Sequence, residues 1–227
     1  MNTLQKIRRS LSVYKRQTLS VFKRKKGRVL VTGTGRAGTT FLMRVFTKLG
    51  LNTGFSTKDF ENVETNVGKA GLEKSILKEK MHLRPEIIKT PHAVDILDNA
   101  LTEGWLKLDV CILPVRELNA AAASRASVTL RAKEARLPEG RVPGGLWKTK
   151  DQEKQAAVLA EVFYKIVYAL VRHQVPIVFA EFPRLAKDEN YFVDEFGDFL
   201  TKRYGLTEQK IREAWRSEVR KDFITES

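Results

Sequence analysis

Residues 28–50 constrain this chain most. Arg28-Val29-Leu30-Val31-Thr32 is a short β-branched run that ends abruptly in Gly33-Thr34-Gly35-Arg36-Ala37-Gly38-Thr39-Thr40. Phe41, Leu42, Val45, Phe46 and Leu49 then recur at helical spacing until Gly50, a C-terminal stop signal. A buried strand, a glycine-rich turn and an apolar helix in immediate succession open a parallel α/β sheet. Further strands are expected at 86–89 (EIIK), 108–115 (LDVCILPV) and 176–180 (PIVFA). Helices are expected at about 93–103, 117–135, 151–173, 191–204 and 207–220, the third carrying the strongest apolar stripe, Val158 to Val171. Residues 137–147 hold two prolines and three glycines, so they form a loop between helices. The expected fold is a single three-layer, P-loop-like α/β domain, with a central, mostly parallel sheet flanked by helices, over residues 28–227.

A basic arm, residues 1–27, precedes that domain. Of the chain's 41 Lys and Arg, ten fall in residues 1–28, which contain no acid; the other 31 face 27 acids, so the domain itself is near balance. Leu4, Ile7, Leu11, Tyr14, Val21 and Phe22 recur through the arm at roughly helical spacing. A basic amphipathic segment of that kind lies on anionic membranes or binds polyanions, and a solvated leader reads the same way. Nothing in it specifies a nucleic acid. One cysteine, Cys111, excludes an intrachain disulfide framework, and the scattered His82, His92 and His173 make no zinc site. Apolar stretches are a few residues long, too short to cross a membrane. A soluble, cytoplasmic protein is expected, associated with a membrane at most through the arm.

A glycine turn leading into a helix aims backbone N–H groups, and the positive end of the helix dipole, at one point, where phosphate or sulfate oxygens bind. Gly33, Gly35 and Gly38 permit the wrap, Thr39 and Thr40 add hydroxyls, and Arg36 adds a guanidinium fork. The spacing resembles the Walker A pattern, but Thr39 stands where its lysine belongs. The three glycines also fit a dinucleotide turn, though the next acids, Asp59 and Glu61, come late and the Thr39-Thr40 pair is then unexplained.

Gly35-Arg36-Ala37-Gly38-Thr39-Thr40-Phe41-Leu42 resembles the phosphosulfate-binding loop of sulfotransferases, G-R-S-G-T-T-F-L in many bacterial members. The resemblance implies that residues 35–40 hold the 5′-phosphosulfate of 3′-phosphoadenosine 5′-phosphosulfate (PAPS), with Arg36 in the place of the loop lysine. A second motif agrees. The family binds the cofactor's 3′-phosphate with a strand-end arginine and a serine eight residues later, and here Arg116 closes the LDVCILPV strand and Ser124 follows at that spacing. Residues 175–185 resemble the late strand and FPRL-type segment of bacterial members. Residues 141–148 resemble another family segment superficially but out of order, and are expected to be a mobile loop near the site.

Ile87-Ile88-Lys89-Thr90-Pro91-His92 resembles the family's K-T-H strand end, with a proline intervening. By that resemblance Lys89 stabilises the leaving oxygen, Arg36 assists, and His92 takes the acceptor's proton, unless His92 only caps the next helix. Glu61 and Glu64 are the rival, carboxylate bases. Lys148 and Arg184 are further candidate cations. No metal is required. The function expected is sulfuryl transfer from PAPS to an acceptor hydroxyl or amine, on a carbohydrate or lipid for instance. The alternatives are an ATP-dependent P-loop kinase, for which Glu181 is the only fair metal-binding acid because Asp109 stands at the start of its strand, and a non-enzymatic polyanion- or membrane-binding protein acting through the arm.

Overall fold

The computed structural model describes residues 27–64, 67–137 and 142–219. The readings of residues 1–26 therefore lie outside the described residues. Four strands form one sheet: β1 (Arg28–Val31), β2 (Ile87–Lys89), β3 (Leu108–Val115) and β4 (Ile177–Glu181). Their order is β2-β1-β3-β4 and every neighbouring pair is parallel. The α-helices are α1 (Thr39–Lys48), α2 (Phe60–Glu64), α3 (Leu97–Thr102), α4 (Leu118–Glu134), α5 (Gln155–Arg172), α6 (Arg184–Lys187), α7 (Glu189–Tyr204) and α8 (Glu208–Glu218).

Strand alternation sorts the core into two layers. Val29, Val31, Ile87, Val110 and Ile112 face α1, α7 and α8, through Phe46, Phe192, Phe196 and Ile211 among others. Leu30, Ile88, Cys111 and Leu113 face α3 and α5, meeting Leu97, Val162, Ile166 and Leu170. Burial on both faces is why these strands read as continuous apolar runs rather than alternating ones. The α/β class and its three layers thus stand as expected, with a sheet that is parallel throughout.

The differences are local. The stretch 93–103 is not one helix: a 3₁₀ turn over Pro91–Asp95 precedes α3, with the Thr90 hydroxyl accepting from the His92 N–H at 3.2 Å. Thr90, not His92, therefore caps that turn. The FPRL segment runs through a cis Phe182–Pro183 bond into the single turn of α6. The last strand begins one residue later than expected, at Ile177.

Connections from β1 go first to one side of the sheet and then to the other, so strand order reverses between β1 and β3. The carboxyl ends of strands at such a point form a natural crevice. Register sets what meets there. Val31 stands opposite Lys89 on one side and Ile112 on the other. Just beyond, Thr32 Oγ1 donates to the Thr90 carbonyl at 2.7 Å, tying the start of the glycine loop to the Lys89 strand end.

Candidate functional site

Above these strand ends lies a cleft of about 1480 Å³. Its floor is the 33–40 loop. Gly33, Gly35, Arg36 and Gly38 all adopt positive φ, Gly38 at 82°. A Cβ on Gly38 would stand 2.6 Å from the Phe182 ring, so this position needs glycine for space as well as for conformation. Gly38 is also the N-cap of α1; no side chain caps the helix and its first turn carries no acid. The first N–H groups of α1 consequently point out of the helix without helical acceptors. Thr39 is buried and Thr40 half-buried, while the Ala37 side chain is sealed in the core, so Ala37 offers the cleft only its backbone.

Arg36, Arg116 and Ser124 come together, although 88 residues separate the first from the last. Arg36 Nε donates to Ser124 Oγ at 3.0 Å, and Arg36 Nη1 donates to the Gly68 carbonyl at 2.5 Å. Arg116 Nη1 donates to the Arg36 carbonyl at 3.2 Å, and its guanidinium lies 5.4 Å from the Phe182 ring centre. Burial, helped by the Arg116 and Arg131 guanidinium groups, lowers the Arg36 pKa to about 10. Burial also lowers that of Arg116. Such crowding of like charges has an electrostatic cost that an anion would relieve.

Lys89 ends β2 with its ammonium almost wholly buried. It donates to Thr40 Oγ1 at 2.8 Å and to the Gly71 carbonyl, and it pairs with Glu73 at 3.4 Å. Burial pushes its pKa down; Glu73 opposes that shift and Arg36 adds to it. The lysine absent from the loop is thus supplied from the neighbouring strand, hydrogen-bonded to the first turn of α1. His92 lines the cleft with its ring edge-on to Trp147, centroids 5.9 Å apart. Lys148 also lines it, paired with Asp95 and 5.6 Å from the Trp147 ring centre. Arg184 is turned elsewhere, onto Asp188 and the Tyr191 ring.

The carboxylates fall differently from expectation. Glu61 is exposed on α2 and is not among the cleft residues; the Glu64 side chain lies outside what is described. Glu73, in the irregular segment after α2, is the acid that faces Lys89. Asp109 sits near the start of β3, at the opposite end of the strands, tied to Arg203 at 2.9 Å. Glu181 is exposed at the end of β4 and is not a cleft residue. Neither acid of the kinase alternative reaches the cleft.

Arg125 is the residue that sequence reasoning missed. Its Nη2 and Nε both donate to the Thr34 carbonyl, at 2.6 and 3.3 Å, and its Nη1 donates to the Gly145 carbonyl at 2.5 Å. A Cβ on Gly35 would stand 2.5 Å from Arg125 Nη2. The guanidinium therefore staples the glycine loop to residues 142–147, and burial with Arg36 nearby lowers its pKa to about 10. The one signal available was its place on the buried stripe Ala121, Ala122, Arg125, Val128, Ala132 of α4. The 142–148 loop is hydrogen-bonded at two points: Leu146 N–H donates to Thr129 Oγ1 at 2.8 Å, and Trp147 N–H to Gln155 Oε1 at 2.8 Å. It does line the site, as expected; Arg141 lies outside the described residues.

Among the described residues, ten Lys and Arg but only three carboxylates line the cleft. Fold and site together define a parallel α/β protein with a strongly cationic cleft over the carboxyl ends of its strands. No protein-family profile, curated protein or solved structure matches this chain. No group of three or more metal-ligating side chains occurs among the described residues, and none of their helices is long and apolar enough to cross a membrane.

Proposed function

We propose that the protein is a PAPS-dependent sulfotransferase, moving a sulfuryl group to an acceptor hydroxyl or amine. One observation carries the reading: the uncapped start of α1, Lys89 and Arg116, drawn from three separate stretches of sequence, line a single cationic cleft, with buried Ser124 hydrogen-bonded to Arg36 of its floor. The donor set fits a nucleotide with two separate anionic groups. The α1 N-terminus with Thr39, Thr40 and Lys89 suits one, and Arg116 suits the other, beside the Arg36–Ser124 pair. Ser124 accepts from Arg36, which leaves its own hydroxyl hydrogen to donate.

When bound, the nucleotide supplies an activated sulfuryl group; the residues supply position and charge. Lys89 holds a desolvated positive charge beside the α1 start, where a cation acts far more strongly than in water. Its Thr40 and Gly71 bonds fix the ammonium in place. Two groups in the cleft are able to take the acceptor's proton, His92 and Glu73. Glu73 lines the cleft as a carboxylate alternative, whereas Glu61 does not.

The test is calorimetric titration with adenosine 3′,5′-bisphosphate, beside ATP with Mg²⁺, on the wild type and on Arg116→Ala. Binding of the bisphosphate without metal, weakened about 100-fold in the variant as two charge-assisted bonds are lost, supports the reading. Binding of Mg-ATP alone would sink it in favour of a kinase.

A further inference from the structure

We infer that the protein forms a two-fold dimer in which β4 pairs antiparallel with β4 of a second copy, joining the two four-stranded sheets into one. The surface concerned, the open edge of the sheet, lies outside the cleft, and nothing in it depends on the sulfotransferase reading.

The two edges of the sheet are finished differently. At the β2 edge the outward backbone groups are met: Ile87 N–H donates to the Asn52 carbonyl, and the Lys89 carbonyl accepts from Lys74 N–H, each at 3.0 Å. At the β4 edge they are not. The Pro176 carbonyl accepts from Cys111 N–H at 2.9 Å, and Phe182 N–H donates to the Val115 carbonyl at 2.7 Å. By the parallel register, residues 176, 178, 180 and 182 therefore turn their backbone groups to β3, and residues 177, 179 and 181 turn theirs outward. Tyr191 Oη accepts from Glu181 N–H at 2.8 Å. Among the described residues nothing meets the outward groups of Ile177 and Phe179. Edge strands that stay single carry charges, prolines or bulges that discourage pairing. Ile177-Val178-Phe179-Ala180 has none of these, and the Phe179 side chain is 43% exposed.

The open groups match a second copy of themselves. With the strands antiparallel about a two-fold at Val178, Ile177 stands opposite Phe179 of the partner subunit and exchanges both backbone bonds with it. Phe179 does the same with Ile177 of the partner subunit, so every outward donor and acceptor of the two residues is used. The side chains agree. Ile177 lies on the α5 face of the sheet, and alternation puts Phe179 there too, so each facing pair sets a β-branched side chain against an aromatic one. Val178, on the other face, meets Val178 of the partner subunit. Glu181 and Glu181 of the partner subunit fall about 20 Å apart along the strands, beyond a Debye length at physiological salt. A strand pair this short buries less than the roughly 800 Å² a side of a stable interface. α5 supplies more apolar surface: Phe163 and Val167 pack on the layer of Ile177, and Tyr164 and Val171, which adjoin them at helical spacing, are 68% and 62% exposed. The placement of both open residues symmetrically about Val178 is what a two-fold partner requires and a foreign strand does not.

Sedimentation equilibrium of the full chain over about 1–200 μM is expected to show a dimer of the 25.9 kDa chain that dissociates on dilution. Phe179→Lys puts a charge on the edge and keeps every backbone bond to β3. It is expected to weaken association about tenfold or more, with an unchanged urea midpoint. Register is read separately. Val178→Cys sets two thiols across the two-fold, where facing Cα atoms of a non-hydrogen-bonded pair stand about 4.5 Å apart, within disulfide reach. Oxidised with copper–phenanthroline, this variant is expected to run as a covalent dimer on a non-reducing gel, and Glu181→Cys as a monomer. Cys111, the chain's one cysteine, is buried and does not compete. A monomer at every concentration overturns the dimer and leaves the edge to another occupant. An undiminished dimer in Phe179→Lys, or equal cross-linking of the two cysteine variants, places the contact elsewhere and overturns it too. So does loss of the dimer on removing residues 1–26, which assigns association to the arm. If Phe179→Lys fails to fold, the pair of cysteine variants decides.

Discussion

At the scale of single residues, Arg36, Lys89, Arg116 and Arg125 are held in the cleft by backbone carbonyls. Arg125 is the clearest case: buried, close to Arg36, and bonded to the Thr34 and Gly145 carbonyls. Arg125→Met relieves repulsion with Arg36 but strands two carbonyls, each costing about 1–3 kcal/mol when left unmet in the interior. The second effect is the larger. The variant is expected to unfold at lower urea and to bind adenosine 3′,5′-bisphosphate about tenfold more weakly, because the loop it staples is no longer fixed. Lys89 yields a pH prediction. Burial depresses its pKa, so as pH rises the ammonium is lost earlier than an ordinary lysine would lose it. Sulfuryl transfer is expected to fall on its alkaline side accordingly. Glu73 raises the Lys89 pKa, so Glu73→Gln moves that limb to lower pH, measured as initial rate against pH. If Glu73 is also the proton acceptor, the same variant loses rate at every pH, whereas His92→Ala does not.

At the scale of elements, α1 is fixed at both ends. Its start is the glycine loop; its middle is tied to α8 by a buried pair, Arg44 Nε to Glu218 Oε2 at 2.7 Å, with the guanidinium 4.3 Å from the Phe60 ring centre. Glu218→Gln keeps the shape but removes the carboxylate from a buried ion pair, a loss expected at about 1–3 kcal/mol. Urea unfolding of the variant should show that loss, with an unchanged m-value. Long elements were readable in the sequence for physical reasons: Leu108–Val115 is a nearly continuous apolar run and Gln155–Arg172 carries a regular apolar stripe. The loop of α1, with Lys89, Arg116 and Ser124, was readable because each sits at a strand end or a fixed offset from one. Elements of one turn, such as Phe60–Glu64 and Arg184–Lys187, are too short to establish a period. Glu73, Gly68 and Gly71 lie in irregular chain, where no spacing announces a contact with Arg36 or Lys89. Arg125 was hidden by its neighbours: a helix of alanines buries a face without an apolar stripe that contrasts with the rest.

At the scale of the molecule, two separate stores of positive charge compete to explain a basic protein. One is residues 1–28, with ten cations and no acid; the other is the cleft, with ten against three among the described residues. They differ in what they are able to select. A run of charges on a basic segment binds any polyanion or anionic surface, with affinity that falls steeply as salt rises. Cations held on a folded wall at fixed spacing discriminate by shape as well as charge. Removing residues 1–26 separates the two. The truncated chain is expected to keep its urea midpoint and its affinity for adenosine 3′,5′-bisphosphate, since every cleft cation among the described residues lies beyond the cut. It is expected to lose salt-sensitive binding to vesicles containing phosphatidylserine, measured by co-sedimentation at low and high ionic strength. Loss of bisphosphate binding on truncation would instead place the arm within the nucleotide site, and the cleft alone would no longer account for the protein's chemistry.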